Sequence, residues 1–288
     1  MNKVFSHSFS WAVTLSTGVF AFVPEDVFGR CHVLKIVGDK IAMIFWASCP
    51  FSPEEIAATL GRMLFLIAVF IISMMINRFR FSRSVIIEKN GYSIRVEYGD
   101  LLKQEMWRRK KCLKVIPFDE CFTTTVGSAP CNITPESLCG QYLKAYPIDN
   151  MQELINAAGL TPCDEPSKYK SQPRYVSGSL IPRDDFLLMA FAKLDHDGRG
   201  MFESRDGYLD SLSKLWDELD KYYGQCHVCI PILGSGITRI GDVNPTQQEL
   251  TDMIICSYKL SQHKIKACLR IICRKCKGFS LMKIGEMS

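Results

Sequence analysis

The sequence predicts an α/β sandwich with a largely parallel sheet, preceded by an N-terminal region that carries two candidate membrane-spanning helices. Three observations lead there. From Ser84 onward, short strand-like runs alternate with helix-like ones, the pattern of strands joined by crossover helices. Before Ser84 stand two long apolar runs, within 4–24 and 56–77, and about twenty helical residues suffice to span a bilayer. The third is Ile230–Gly241, IPILGSGITRIG, where an apolar run enters a turn of Gly234, Ser235 and Gly236 and a capped helix follows from Asn244. Strand, small-residue loop and helix in that order present free N–H groups to an anion such as phosphate. The same order also makes a tight connection with no ligand, and spacing alone does not choose.

Composition narrows the class. The 288 residues, 47% of them hydrophobic, can bury one good-sized domain and supply a further element. Near-average usage excludes disordered and fibrous classes. A net charge of +5 is compatible with weak attraction to anionic lipid or nucleic acid and establishes neither. Thirteen cysteines, an odd number spread through strand-like and helix-like runs, do not form the framework of a secreted disulfide domain. They fit reduced thiols in a cytosolic compartment.

The first candidate span, 4–24, carries no formal charge before Glu25 but includes His7, four serines and two threonines. A cleaved signal peptide is its alternative, although Pro24, Glu25 and Asp26 are not a small-residue cleavage site. The second, 56–77, contains MLFLIAVFIISMMI and is interrupted by Arg62, which could snorkel to headgroups; a buried core helix is its alternative. Arg78, Arg80 and Arg83 follow it, and basic residues at a span's end favour the cytoplasmic side. Two spans would leave both termini in the cytoplasm. Ile41–Phe51, about eleven residues with Trp46 inside, is too short to cross and is expected at the interface or folded on the spans. The expected division is therefore a transmembrane region, 1–83, and a cytoplasmic domain, 84–288.

Within 84–288, Val85–Lys89 and Tyr92–Tyr98 flank Asn90-Gly91, which supplies the positive-φ pair of a two-residue hairpin turn. Arg108–Lys111 lacks aromatic interleaving and is expected to be a solvated basic face near lipid rather than a nucleic-acid patch. Leu113–Phe118 suits a buried strand. Thr134-Pro135 opens a helix expected to run to about Tyr146, and a second covers Asn150–Ala158 before Gly159. Thr161–Gly178, with three prolines, is expected to be a surface loop. Phe186–Leu194 is a strand; Tyr208, Leu209, Leu212, Leu215, Trp216 and Leu219 form a helical stripe that Gly224 ends. A helix over Pro245–Leu260 and a strand at Leu269–Cys273 complete the chain.

Gly99-Asp100-Leu101, the apolar strand to Phe118, the loop Asp119–Gly127 and IPILGSGI together resemble the macro domain, over roughly Ser84–Cys273. With the two N-terminal segments, the chain is similar to the membrane-anchored macro-domain effectors of Thoeris anti-phage defence. The resemblance implies a three-layer α/β/α sandwich with a mixed sheet that binds an ADP-ribose derivative and needs no cofactor. It further implies a multi-pass protein of the bacterial cell membrane, a functional partner TIR-domain enzyme that makes the signal nucleotide, contact with lipid, no nucleic-acid partner, and assembly as a homo-oligomer. Residue by residue, it assigns Asp100 to the adenine amino group and the amides of Gly234, Ser235, Gly236 and Ile237, with Thr238 beside them, to the diphosphate. It places Asp119, Glu120, Thr123 and Gly127 in the opposing loop near the distal ribose. FDECFTTTVG replaces the Asn-rich, triple-Gly loop of macro-domain hydrolases, and Thr238 stands where a tyrosine is common. No catalytic residue is therefore expected; a membrane-anchored ADP-ribosyl hydrolase using Asp119 or Glu120 is the alternative, and a structural membrane protein the third.

Two further patterns carry less. Cys226/Cys229 and Cys273/Cys276 have zinc-like spacing, but residues three apart on a strand point to opposite faces, so no metal site is expected. Asp195–Gly200, DHDGRG, starts like a calcium loop yet has Arg199 at its fifth position and Asp206 at its twelfth, and is expected to be a turn.

Overall fold

A computed structural model describes residues 3–24, 27–28, 35–36, 39–40, 52–89, 91–129, 131–236, 238–242 and 244–287. The chain divides into two compact units, Met1–Arg83 and Ser84–Ser288.

In the first unit, α1 (Lys3–Phe22) and α2 (Pro53–Arg83) run antiparallel. Asn77 Nδ2 donates to Ser8 Oγ at 3.1 Å, Phe5 and Phe9 meet the Phe70 ring, and further along Phe20 meets Phe65. Ala12 and Ala57 are fully buried in this unit, as are Ser8 and Ser16, while Met63, Leu64, Ile67, Ile71, Ile72 and Met75 are exposed. The unit thus turns several hydroxyls inward and much of its aliphatic surface outward. Thr14 and Thr17 hydroxyls are satisfied by the carbonyls of Ser10 and Val13 one turn back. The half-buried Arg62 lies 5.8 Å from the rings of Phe20 and Phe28. Among the described residues only Glu54–Phe79 within α2 is long and apolar enough to cross a membrane. The expectation of two spans is corrected on that count, because the hydroxyls and His7 make α1 too polar. The run Ile41–Phe51 lies outside the described residues, as does Asn90 in the expected hairpin turn.

The second unit is built on one mixed sheet. Its strands are β1 (Ser84–Lys89), β2 (Tyr92–Tyr98), β3 (Met106–Trp107), β4 (Lys110–Asp119), β5 (Leu180–Arg183), β6 (Phe186–Leu194), β7 (Gly200–Phe202), β8 (His227–Pro231), β9 (Arg239–Ile240) and β10 (Leu269–Cys273). They follow the order β1-β2-β10-β8-β4-β6-β7-β9, with β3 on β4 and β5 on β6. The five strands β2, β10, β8, β4 and β6 are parallel to one another, while β1, β5 and β7 pair antiparallel. β10 is buried along its whole length and β8 everywhere but its last residue, as in strands covered on two faces, and apart from Arg270 and His227 both are apolar.

Alternation along β6 sorts the layers. Phe186, Leu188 and Ala190 join a core with Tyr142 and Leu143 of α3 (Leu138–Ala145) and Ile155 of α4 (Met151–Ala157). Phe191 points the other way, onto Tyr208 of α5 (Arg205–Tyr222), which joins α6 (Gln247–Leu260) through Trp216 Nε1 donating to Ser257 Oγ. A last helix, α7 (Leu281–Met287), packs on β1.

Several expected boundaries move. The helix expected from Thr134 begins at Leu138, capped by Ser137, because residues 134–137 form a turn of their own. The helix expected from Pro245 is capped by Thr246, whose hydroxyl and the Glu249 carboxylate make a reciprocal box. The loop 161–178 is not purely superficial: Ser167 and Tyr175 are buried. β3, β5, β7, β9 and α7 were not expected.

One polar cluster ties the sheet together. Arg270 on β10, only 4% exposed, donates through Nε (2.8 Å) and Nη2 (2.5 Å) to Glu97 on β2 and through Nη2 to Gln104 (2.8 Å). Its Nη1 reaches Cys112 Sγ on β4 at 3.2 Å. The hydrogen bond from Cys229, together with Arg270, lowers the Cys112 thiol below the usual range. Removing one partner of a buried pair leaves an uncompensated charge. Glu97→Ala is expected to cost about 3–5 kcal/mol, measured by denaturant unfolding of the second unit's tryptophans, whereas the exposed-pair change Lys168→Ala should cost under about 1 kcal/mol.

Candidate functional site

The parallel strands all finish at one edge, and a cavity of about 470 Å³ lies there. Gly99 after β2, Pro117–Asp119 of β4, Phe191 of β6, Pro231 of β8 and Ile272 of β10 contribute to its lining. Such an edge is where open α/β sheets bind ligands.

The β8 turn forms one wall. Gly234 has φ +81°, and a β-carbon there would meet the side chains of Ile240, Leu250 and Tyr208 at 3.3–3.5 Å, so glycine suits it both for conformation and for space. Tyr208 donates from its hydroxyl to Leu233 O (3.1 Å) and anchors the strand end; burial pushes that phenol up. The Ser235 N–H is spent on Ile232 O at 3.2 Å. A β-carbon on Gly236 would meet nothing within 4 Å, so this residue faces open space. Gly234, Ser235, Gly236 and Thr238 all line the cavity. Ile237 lies outside the described residues.

The floor is set by β4. The β4–β6 register shifts at its end, where Phe118 pairs with Ala190 and Asp119 with Ala192, so that Phe191 of β6 is the residue passed over. Asp119 Oδ1 accepts from the amides of Cys121 (2.8 Å) and Thr123 (3.1 Å). Burial holds this carboxyl above its usual range against those bonds. Phe122 adopts φ +52°, locked by packing of its ring on Phe118 and Tyr175.

Of the expected opposing loop, only Asp119 lines the cavity. Glu120, 2% exposed, points into the protein instead: Oε1 accepts from Ser167 Oγ (2.6 Å) and Leu194 N (3.1 Å), and Oε2 lies 3.6 Å from Arg174. It pins the 161–178 loop and offers nothing to the cavity. Thr123 braces Asp119 from behind. Gly127 N donates to Ile133 O, and a β-carbon on Gly127 would sit 2.5 Å from Asn132 Nδ2, so this glycine lets Asn132 approach. The wall the sequence did not reveal runs through Asn132, Ile133, Thr134, Glu136 and Cys139, brought in by the Val126–Ile133 bridge. Gly198 and Gly200 also line it; their DHDGRG segment is a turn, with Asp195 Oδ1 accepting from Asp197 N and Arg199 N. Asp100 stands between two lining residues, Gly99 and Leu101, but its own Oδ1 accepts from Leu102 N at 3.1 Å, and Lys103 approaches Oδ2. Cys229 is bound to Arg270 inside the sheet, away from Cys226 in the preceding turn.

A family model described as Thoeris protein ThsA, Macro domain, matches residues 94–274. The chain belongs to this family. The ThsA macro-domain match runs from within β2 to one residue beyond β10 and so takes in the whole cavity edge. A curated relative, Thoeris protein ThsA of Bacillus amyloliquefaciens (strain Y2), is 28% identical over 197 residues, which cover 66% of this chain. The matched stretch spans 64% of that relative's length. Among solved structures, an Oceanobacillus iheyensis macrodomain with ADP aligns with a TM-score of 0.41 and 11% identity, over 71% of this chain and 95% of that one. The macro-domain-like mixed-sheet architecture agrees with the family.

The Asp119 environment sets a pH signature. With the folded-state pKa raised, the native state binds the proton more tightly than the unfolded chain, so this group's contribution falls as pH rises from about 4 to the folded pKa and is constant above it. Asp119→Asn, which keeps an acceptor for the two amides, is expected to melt above wild type at pH 7 and to lose that advantage by about pH 4, as read by thermal melts across pH.

Proposed function

We propose that this protein is a membrane-anchored anti-phage effector whose macro domain senses an ADP-ribose-derived nucleotide in the cavity at the strand ends. The observation that carries the proposal is the pairing of a ThsA macro-domain match with an open cradle at Gly236 in that same cavity. The diphosphate would lie along Gly234–Gly236, the adenine towards Gly99 and Asp100, and the distal ribose over Asp119. A partner TIR-domain enzyme would supply the nucleotide during infection.

The anchor would be α2, with its outward aliphatic face in the hydrocarbon layer and the arginines of its last turns at the headgroups. The chain passes from Arg83 directly to Ser84, which pairs with Glu97 two residues before the cavity-lining Gly99. A ligand preferring one arrangement by about 2–3 kcal/mol would shift populations by one to two orders of magnitude. Assembly of several copies and loss of membrane integrity would follow.

A second possibility, hydrolysis of ADP-ribose conjugates, is favoured by one observation, the shielded carboxyl of Asp119 at the cavity floor. Its amide partners hold Oδ1 in place, which suits positioning more than proton transfer.

Titration calorimetry of the full chain in detergent with ADP-ribose is expected to give binding. Gly236→Leu should weaken it by about 2 kcal/mol or more, roughly thirtyfold, with the melting temperature unchanged. No binding by wild type defeats the sensor. Chromatography of the ligand afterwards should return it intact, and turnover abolished by Asp119→Asn would replace the sensor with the hydrolase.

A further inference from the structure

We infer that Arg274 is a specificity-determining residue of the cavity, supplying the counter-charge for a diphosphate held at the Gly234–Gly236 turn. The inference rests on the cavity taking a nucleotide.

Position comes first. β10 and β8 are parallel, with Ile272 opposite Pro231. Beyond that last pair both strands end, β10 running on into Arg274 and β8 into the Gly234 turn. Both Arg274 and the turn line the same cavity.

Charge comes second. The lining residues with a formal charge among those described are Asp119, Glu136 and Arg274. A dianionic group entering past two carboxylates needs a cation, and this lining offers it at Arg274. The turn also lacks one donor it was expected to have, because the Ser235 amide is consumed by Ile232 O. Arginine can replace a missing amide with a forked, charge-assisted pair of bonds.

Availability comes third. Arg95 and Arg270 are committed to Glu97, Arg199 to Asp197, and Arg174 to Glu120 and Glu165. Arg274 is exposed and makes no ion pair or hydrogen bond among the described residues. Contacts of its chain neighbours flank it on both sides. Gly99 N donates to Cys273 O at 3.1 Å, Lys275 Nζ lies 5.8 Å from the Tyr98 ring, and Cys276 Sγ meets Gln247 Oε1 at 3.0 Å. A side chain anchored next to β10 and without an internal partner is available to a ligand.

The test uses the full chain in detergent with ADP-ribose, ADP and adenosine as probes. Wild type should bind ADP-ribose and ADP much more tightly than adenosine, with affinity falling as salt rises. Arg274→Ala should weaken ADP-ribose and ADP by roughly ten- to fiftyfold, leave adenosine within about threefold, and flatten the salt dependence. Arg274→Lys should recover part of the loss, and Arg274→Gln guards against a folding effect if the alanine variant melts early. Arg274→Ala binding ADP-ribose within about twofold of wild type, with its salt dependence intact, overturns the inference while leaving the nucleotide site standing. Failure of wild type to bind any probe overturns the nucleotide site and this inference with it.

Discussion

The parallel alignment of β2, β10, β8, β4 and β6 is the constraint on which the rest depends. Because these strands run the same way, their carboxyl ends gather at one edge, and every loop that leaves them starts from a common rim. A parallel sheet requires cover on both faces, which α3 and α4 provide on one side and α5 and α6 on the other. The cavity is the gap left where that cover ends and the strand-end loops begin.

Rigidity at the rim comes from groups that never touch the cavity. Glu120 spends its carboxylate on Ser167 and Leu194, and so ties the 161–178 loop to β6. Arg270 joins β2 to β8 and β4 through Glu97, Cys229 and Cys112. Tyr208 holds Leu233 at the root of the glycine turn. With these bonds in place, the open face at Gly236 is a feature of a fixed surface.

Much of the architecture was legible because the apolar runs are long and clean. Phe186–Leu194, Leu269–Cys273 and the Tyr208–Leu219 stripe announce themselves by period, and the Asn90-Gly91 pair announced the hairpin whose strands are β1 and β2. Short elements were not legible, since two-residue β3 and β9 have no period to read and exist because a neighbouring strand pairs with them. Local pattern places the cap at Thr134 rather than Ser137 because both are followed by helix-compatible residues, and only the turn at 134–137 separates them. The polar character of α1 was plain in sequence, yet where its serines point was not.

By itself the sequence determined the kinds of element, their order, the glycine turn after β8 and the family these imply, all of which depend on local periodicity and on residues close together in the chain. Tertiary structure alone decided that Glu120 turns inward while Asp119 faces the cavity, because the groups that hold the Glu120 carboxylate, Ser167 Oγ and Leu194 N, come from segments distant in the chain. It alone decided that Asn132, Gly198 and Arg274, spread over more than half of the second unit, meet the Gly234–Gly236 turn around one space. Side-chain direction at a strand end and proximity between distant segments follow from packing, and no local pattern in the chain encodes either.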